Sequence, residues 1–124
     1  MQALILAFES EDDFKRRDTR DTDPAAFAAY MKPWWDYSQS LEAAGVIRAG
    51  GALEPPHTAT TVSMRDGKCV VEDGPYAAVK EQLGGYFLIE VETMADAEHW
   101  AALCPAARTG RAEAHQIPNY AEEA

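Results

Sequence analysis

Runs of apolar residues separated by polar turns predict four strands of one sheet in this chain. Residues 2–8 and 86–91 carry apolar side chains at nearly every position, as is typical of strands in the centre of a sheet. Residues 46–53 predict another strand, which stops before a proline pair because proline cannot continue a ladder of backbone hydrogen bonds. Residues 111–117 predict the last strand.

Two further short strands, at residues 60–65 and 68–72, flank the dipeptide Asp66-Gly67. Asp-Gly is a preferred sequence for the two-residue turn of a β-hairpin. In the register that this turn sets, the apolar side chains share one face and pair as follows: Met64 with Cys69 and Val62 with Val71. A hairpin with one apolar side is therefore expected.

The first predicted helix begins at Asp23-Pro24, since Asp caps free backbone N–H groups and Pro suits the first helical turn. It ends at Gly45. Its apolar face contains Phe27, Tyr30, Met31, Trp34, Leu41 and Ala44. Pro33 lies inside this helix and removes one backbone hydrogen bond, so we expect a kink or a break into two segments.

The second predicted helix begins at Thr93, because Thr93 and Asp96 have the spacing of a capping box. It runs to residue 103, and Pro105 ends it. Its inner face contains Met94, Ala97, Trp100, Ala101 and Cys104.

Residues 9–22, between the first strand and the first helix, are strongly charged and show no apolar periodicity. Runs of mixed charge usually stay in water. We therefore predict a solvated loop here, and a functional lid is the alternative for a connection of this length.

These elements contain the β-α-β-β-α-β order of ferredoxin-like α+β folds, with a β-hairpin inserted in the middle. In that layout both helices cover one face of the sheet, and an apolar face stays open. Because large exposed apolar surfaces usually meet a partner, we expect a homodimer that forms through the open sheet faces.

Composition and charge restrict the class of protein. The 124 residues, 47% of them apolar, suit a single domain over residues 1–124, with a flexible acidic tail at residues 118–124. A net charge of -10 argues against a nucleic-acid partner, because phosphates are bound by clustered Lys and Arg. The short N-terminal apolar run is neither a signal peptide nor a membrane span, so a cytoplasmic protein is expected. The two cysteines predict no disulfide framework and no metal site, and no cofactor is expected.

One segment carries a more specific pattern. Asp73-Gly74-Pro75-Tyr76 is followed by Lys80-Glu81 and Gly84-Gly85, directly before the aromatic strand at residues 86–91. This order closely resembles the signature of the YCII-related family of DGPF-domain, or YciI-like, proteins. The resemblance implies a ferredoxin-like domain that pairs into a dimeric α/β barrel. The signature residues are expected to be structural, with the glycine pair supplying a positive φ or a close backbone approach; they are Asp73, Gly74, Pro75, Lys80, Glu81, Gly84 and Gly85.

The resemblance does not carry an enzyme activity over to this chain. The family's proposed catalytic pair is a His in the first core helix and an Asp at the end of the second. Trp34 and Cys104 hold these two places here. An indole cannot serve as a base.

His57 and Asp73 are the candidates to replace that pair. A His–Asp pair can move a proton between substrate atoms, since the carboxylate fixes the tautomer of the imidazole. The simpler interpretation, which the sequence favours, makes His57 an exposed turn residue and Asp73 a residue that stabilises its own turn.

An aromatic cluster beside Pro33 predicts a different function. Trp34, Trp35 and Tyr37 offer a flat apolar lining for a small ligand, and Tyr76 of the signature is a further candidate. Ordinary packing is the alternative, with Trp34 in the core and Trp35 pointing away from it.

Two functions follow from these residues. The favoured one is a non-catalytic small-molecule-binding or accessory protein, since some relatives are encoded beside sigma-factor-like regulators. The alternative is a small cofactor-free enzyme, an isomerase or a lyase of the dehydrochlorinase type, which acts on an aromatic or lactone-like substrate through His57 and Asp73.

Overall fold

The computed structural model of the chain describes residues 1–77 and 79–121. Its strands are β1 (Gln2–Glu9), β2 (Ile47–Ala52), β3 (Thr60–Arg65), β4 (Lys68–Asp73), β5 (Gln82–Glu90) and β6 (Arg111–Ile117). Its helices are α1 (Glu11–Arg17), α2 (Pro24–Ala43), α3 (Met94–Leu103) and α4 (Ala106–Thr109), and a 3-10 turn covers Pro56–Thr58.

Strands β2, β5, β1 and β6 form one antiparallel sheet in that spatial order. With the hairpin left out, this is the strand order of a ferredoxin-like β-α-β-β-α-β fold, so the predicted α+β class is confirmed. Strands β3 and β4 form a separate two-stranded sheet, which is inserted between β2 and β5.

The core lies between one face of this sheet and the helices. Strand β1 alternates strictly, so that Ala3, Ile5, Ala7 and Glu9 are buried while the residues between them stay partly exposed. The helices contribute further buried residues to the same cluster: Tyr37 and Leu41 from α2, Ala97 and Ala101 from α3, and Ala106 from α4.

Helix α2 begins as predicted. The side chain of Asp23 accepts a hydrogen bond from the backbone N–H of Ala26, 3.2 Å away, and Pro24 is the first helical residue. The helix continues through Pro33 as a single element, so of the two predicted outcomes the break into two segments was wrong, and a kink stays a prediction. Pro33 is exposed, and its ring therefore lies on the solvent side of the helix.

Helix α3 also follows the prediction, because Thr93 and Asp96 form the reciprocal hydrogen bonds of a capping box, at 3.2 Å each. Helix α4, which begins after Pro105, was not predicted; it is a single short turn, too brief to show a periodic pattern.

The hairpin register is confirmed. Val62 lies opposite Val71 and Met64 lies opposite Cys69, across a turn in which Asp66 and Gly67 have φ of 51° and 76°. The apolar side of this hairpin is exposed to solvent.

The prediction of a loop over residues 9–22 was wrong for its first half, which forms α1. Ser10 and Asp13 form a capping box, acidic residues fill the first turn and basic residues fill the last turn, which favours a helix through its dipole. Asp13 also accepts a hydrogen bond from the hydroxyl of Thr109, at 2.7 Å, and Phe14 is buried. These contacts fix α1 against the rest of the domain.

The other face of the main sheet carries partly exposed apolar residues on its two central strands; they are Leu4, Leu6, Phe8, Tyr86 and Leu88.

Within the described residues, no helix is both long enough and apolar enough to cross a membrane. Of the predicted acidic tail, residues 118–121 contain neither helix nor strand, and residues 122–124 lie outside the described residues.

Candidate ligand-binding site

A cleft of about 510 Å³ separates helix α2 from strands β2 and β5, at one edge of the sheet. We call it the α2 cleft. Helix α2 lines it with Met31, Trp34, Trp35, Ser38 and Glu42; β2 with Ile47, Arg48, Ala49, Gly50, Gly51 and Ala52; and β5 with Gly84, Gly85 and Phe87. Glu9 and Arg17 complete the lining.

Aromatic side chains form one wall of the α2 cleft. The indole of Trp34 stacks on the ring of Phe87, with centroids 6.3 Å apart and planes 9° apart. The next indole, Trp35, is 51% exposed and contacts Phe27 at 6.3 Å. A fixed aromatic face beside an exposed one is the kind of surface on which flat ligands stack.

Glycines of two adjacent strands, β2 and β5, also line the cleft. In the sheet register Gly50 lies opposite Phe87, Gly51 opposite Tyr86 and Gly85 opposite Ala52. At Gly84 the absence of a side chain is required, because a Cβ there would overlap Oε2 of Glu9 and lie 2.8 Å from its Cδ. Of the two predicted reasons for the glycine pair, the structure shows a close approach, by the Glu9 side chain at Gly84, and no positive φ at either glycine. Within the described part of the signature, Gly74 has a positive φ, of 93°.

Glu9 is a buried carboxylate at the inner end of the cleft, with 2% of its surface exposed. The hydroxyl of Tyr30 donates to its Oε1, and Arg17 lies 3.4 Å from its Oε2. Burial raises the pKa of Glu9 above its usual value, and these two partners oppose the rise. The pKa of Tyr30 is raised as well, because its hydroxyl is buried against that carboxylate.

Arg17 holds this corner of the cleft together. It reaches from the last turn of α1 to two strands, donating to the carbonyl oxygens of Gly84, at 3.0 Å, and of Leu53. Its guanidinium also lies over the ring of Phe14, 4.8 Å from the centroid. The carboxylate and the guanidinium therefore form one fixed, buried polar group in the lining of the cleft.

The aromatic residues singled out from the sequence divide between three environments. Trp34 and Trp35 line the α2 cleft. Tyr37 belongs to the core, where its ring meets Phe87 edge-on at 5.1 Å and its hydroxyl donates to the carbonyl of Trp100 at 2.7 Å. Tyr76 is 92% exposed and lies outside the lining of the cleft.

His57 and Asp73 both lie on the inserted segment, His57 in the 3-10 turn and Asp73 at the end of β4. Both side chains are exposed, and neither lines the α2 cleft. The structure therefore does not bring this pair to the residues that form the cleft, and their catalytic role stays a prediction.

The signature segment makes local structural contacts in the described residues. The backbone N–H of Gly74 donates to the carbonyl of Ala59, at 2.7 Å, and Thr61 donates to the carbonyl of Gly74, at 2.8 Å. Pro75 and Lys80 are exposed, and Glu81 is partly buried.

The two positions where the family's proposed catalytic residues were expected are packed. Cys104 is fully buried, and burial raises the pKa of its thiol to about 11. Trp34 packs against Phe87, as the core interpretation predicted, while it also faces the cleft. Within residues 1–77 and 79–121 no group of three or more His, Cys, Asp or Glu is placed to hold a metal ion.

Glu9 and Arg17 were not predicted as site residues, because both fell within the predicted loop. A signal for Glu9 was present: the alternation of β1 puts it on the same face as Ala3, Ile5 and Ala7. A charged residue at a core-facing position of a strand is informative, since buried charges require partners.

Together the fold and the cleft define a ferredoxin-like α+β domain with a ligand-sized cleft between its first long helix and the sheet edge. The chain belongs to the YCII-related family, because the family's domain model matches residues 1–120. Among curated proteins, none matches it.

Among solved structures, the chain is similar to the 5-chloro-2-hydroxyhydroquinone dehydrochlorinase of Burkholderia phenoliruptrix, in its complex with 2,5-dihydroxybenzoquinone. The identity is 16% and the TM-score is 0.48, over 95% of this chain and 94% of that chain. At this level the likeness assigns no activity to the protein.

Proposed function

We propose that this protein binds a small, flat, mostly apolar ligand in the α2 cleft. The observation that carries the proposal is that two indoles line a cleft of about 510 Å³: that of Trp34, which is held by stacking, and that of Trp35, which is exposed. That volume lies within the range of small-molecule sites. The glycines of β2 and β5 add no side chains to the lining, which leaves room for a flat ligand.

Titration with naphthalene derivatives tests this function, followed by protein NMR and by tryptophan fluorescence. We expect Trp35→Ala to weaken binding about tenfold, because it removes one aromatic contact of the ligand. Tyr76→Ala is the matched control: it removes an aromatic side chain that is more exposed and lies outside the cleft. Equal losses in both variants, or chemical shift changes away from the cleft, would reject the proposal.

The sequence also predicts an enzyme that moves a proton with His57 and Asp73. Both residues lie outside the lining of the α2 cleft, so we propose binding without turnover as the main function. His57→Ala should then leave a bound compound chemically unaltered. Turnover of a lactone or a halogenated phenol that disappears in this variant would favour the enzyme instead.

We further propose that the working form is a homodimer, paired through the open sheet face that contains Leu4, Leu6, Phe8, Tyr86 and Leu88. A dimer of ordinary size buries about 1,600 Å² in total. Light scattering at micromolar concentration should give twice the mass of the chain. Leu6→Lys should give a monomer, whereas Val62→Lys on the inserted hairpin should not change the mass. A monomeric wild type would refute the dimer.

An accessory role beside a sigma-factor-like regulator agrees with a binding protein of this kind.

A further inference from the structure

We propose that the α2 cleft selects neutral aromatic ligands that carry a hydroxyl or amino hydrogen-bond donor, and that Glu9 is the acceptor that selects them. This inference rests on the proposed binding function and names the class of ligand. Three features of the cleft support it: the engaged guanidinium of Arg17, the free capacity of the carboxylate and the balance of charge.

Arg17 is engaged by the protein itself through both terminal nitrogens, and Arg48 through one of them. Arg17 donates from one terminal nitrogen to Gly84 and Glu9, and from the other to Leu53. At the mouth, Arg48 donates to the carbonyl oxygens of Gly45, at 3.0 Å, and of Ile47, at 2.9 Å. Arginine recognises a carboxylate ligand through a pair of parallel N–H bonds. Since the terminal nitrogens of Arg17 already have acceptors, this fork is not available to a ligand anion.

Glu9, in contrast, keeps acceptor capacity. An ionised carboxylate has about four lone-pair sites, and the described donors, Tyr30 and Arg17, occupy two of them. The carboxylate lines the cleft although only 2% of its surface is exposed. A ligand hydroxyl that reaches it therefore forms a hydrogen bond to a charged group with little competition from water, which favours the ligand at least about tenfold.

The charges of the cleft balance. Its lining contains two acidic side chains, Glu9 and Glu42, and two basic ones, Arg17 and Arg48, so their formal sum is zero. The whole chain has a net charge of -10. An anionic ligand therefore finds no excess positive charge in the cleft and is repelled by the protein as a whole.

Three probes of nearly equal size test the selection at neutral pH: naphthol, methoxynaphthalene and naphthalene carboxylate, each followed by protein NMR. For the wild type, naphthol should bind at least about tenfold more tightly than the other two, because methylation removes the donor and the carboxylate adds a negative charge. Equal affinities of naphthol and its methyl ether, or tightest binding of the carboxylate, would overturn the inference. If none of the three binds, the proposed function itself fails.

Glu9→Gln assigns the selection to its residue. It keeps the size of the side chain and removes the charged acceptor, so the preference for naphthol over its methyl ether should fall about tenfold. Glu42→Gln is the matched control, since it removes the same charge from the mouth and leaves the inner acceptor in place; its ratio of naphthol to methyl ether should equal that of the wild type. An unchanged preference in folded Glu9→Gln, or an equal change in both variants, would refute the role of Glu9. If Glu9→Gln does not fold, the three probes on the wild type still decide the ligand class.

Discussion

The close approach of Glu9 to Gly84 predicts how much stability a side chain at position 84 would cost. In Gly84→Ala the new Cβ would occupy the place of the Glu9 carboxylate, which must move away from Tyr30 and Arg17. Overpacking a tight site costs about 1–3 kcal/mol, and a hydrogen bond to a charged group contributes about 1.5–3 kcal/mol. Alanine in a strand recovers about 0.5–1 kcal/mol relative to glycine. We therefore expect the free energy of unfolding to fall by about 2–5 kcal/mol.

A double-mutant cycle in urea separates this clash from a general intolerance of the strand. In a Glu9→Ala background the carboxylate is absent, so Gly84→Ala should cost little, and the coupling energy between the two positions should be about 2 kcal/mol. Gly50→Ala is the control, because the atoms nearest to its Cβ would belong to Phe87, at 3.1 Å, and Tyr86, at 3.3 Å, and not to Glu9. Its cost should be the same in both backgrounds. If the effects at positions 84 and 9 add within about 0.5 kcal/mol, the reasoning is wrong.

Three further predictions concern buried polar groups. Tyr37→Phe should lower the stability by about 1 kcal/mol, because the carbonyl of Trp100 loses its donor, and an unchanged urea midpoint would contradict this. Iodoacetamide at neutral pH should alkylate the exposed Cys69 and not Cys104, whose pKa is raised to about 11. If mass spectrometry found both cysteines of the folded protein alkylated, the prediction would be wrong. Glu9 has a folded pKa above its usual 4.5, so its protonated form is favoured by folding: its contribution is present below pH 4.5 and is lost as the pH rises through the folded pKa. The free energy of unfolding of the wild type, relative to that of Glu9→Gln, should therefore fall as the pH rises from 4.5 through the folded pKa of Glu9. A rise would show that Tyr30 and Arg17 lower this pKa by more than burial raises it.

The main elements were predictable because their signals are local. Asp23-Pro24 and the capping box at Thr93 set the helix starts, and Asp66-Gly67 set the hairpin register. Helix α1 was missed although Ser10 and Asp13 have capping-box spacing, because a helix of seven residues with one buried apolar side chain shows no periodic pattern.

The candidate site was predictable only in its aromatic half. The pair Trp34-Trp35 stands out in the sequence, and both residues line the cleft. The polar half depends on Arg17 meeting the carbonyl of Gly84, which is 67 residues away in the chain. No pattern within one segment reports such a contact, since it is created when α1 docks against the sheet.

The inserted hairpin leaves the sheet and returns to it at a single point. The backbone N–H of Leu53 donates to the carbonyl of Gly84, at 2.9 Å, so the two ends of the excursion are already joined. A loop whose ends lie this close can change length at little cost, since each halving of a flexible loop changes the closure free energy by only about 0.6 kcal/mol. The ferredoxin-like sheet is thus a frame into which residues 54–81 fit as an exchangeable module. Relatives of this chain can vary that module in length and surface while the α2 cleft, built from the frame, keeps its shape.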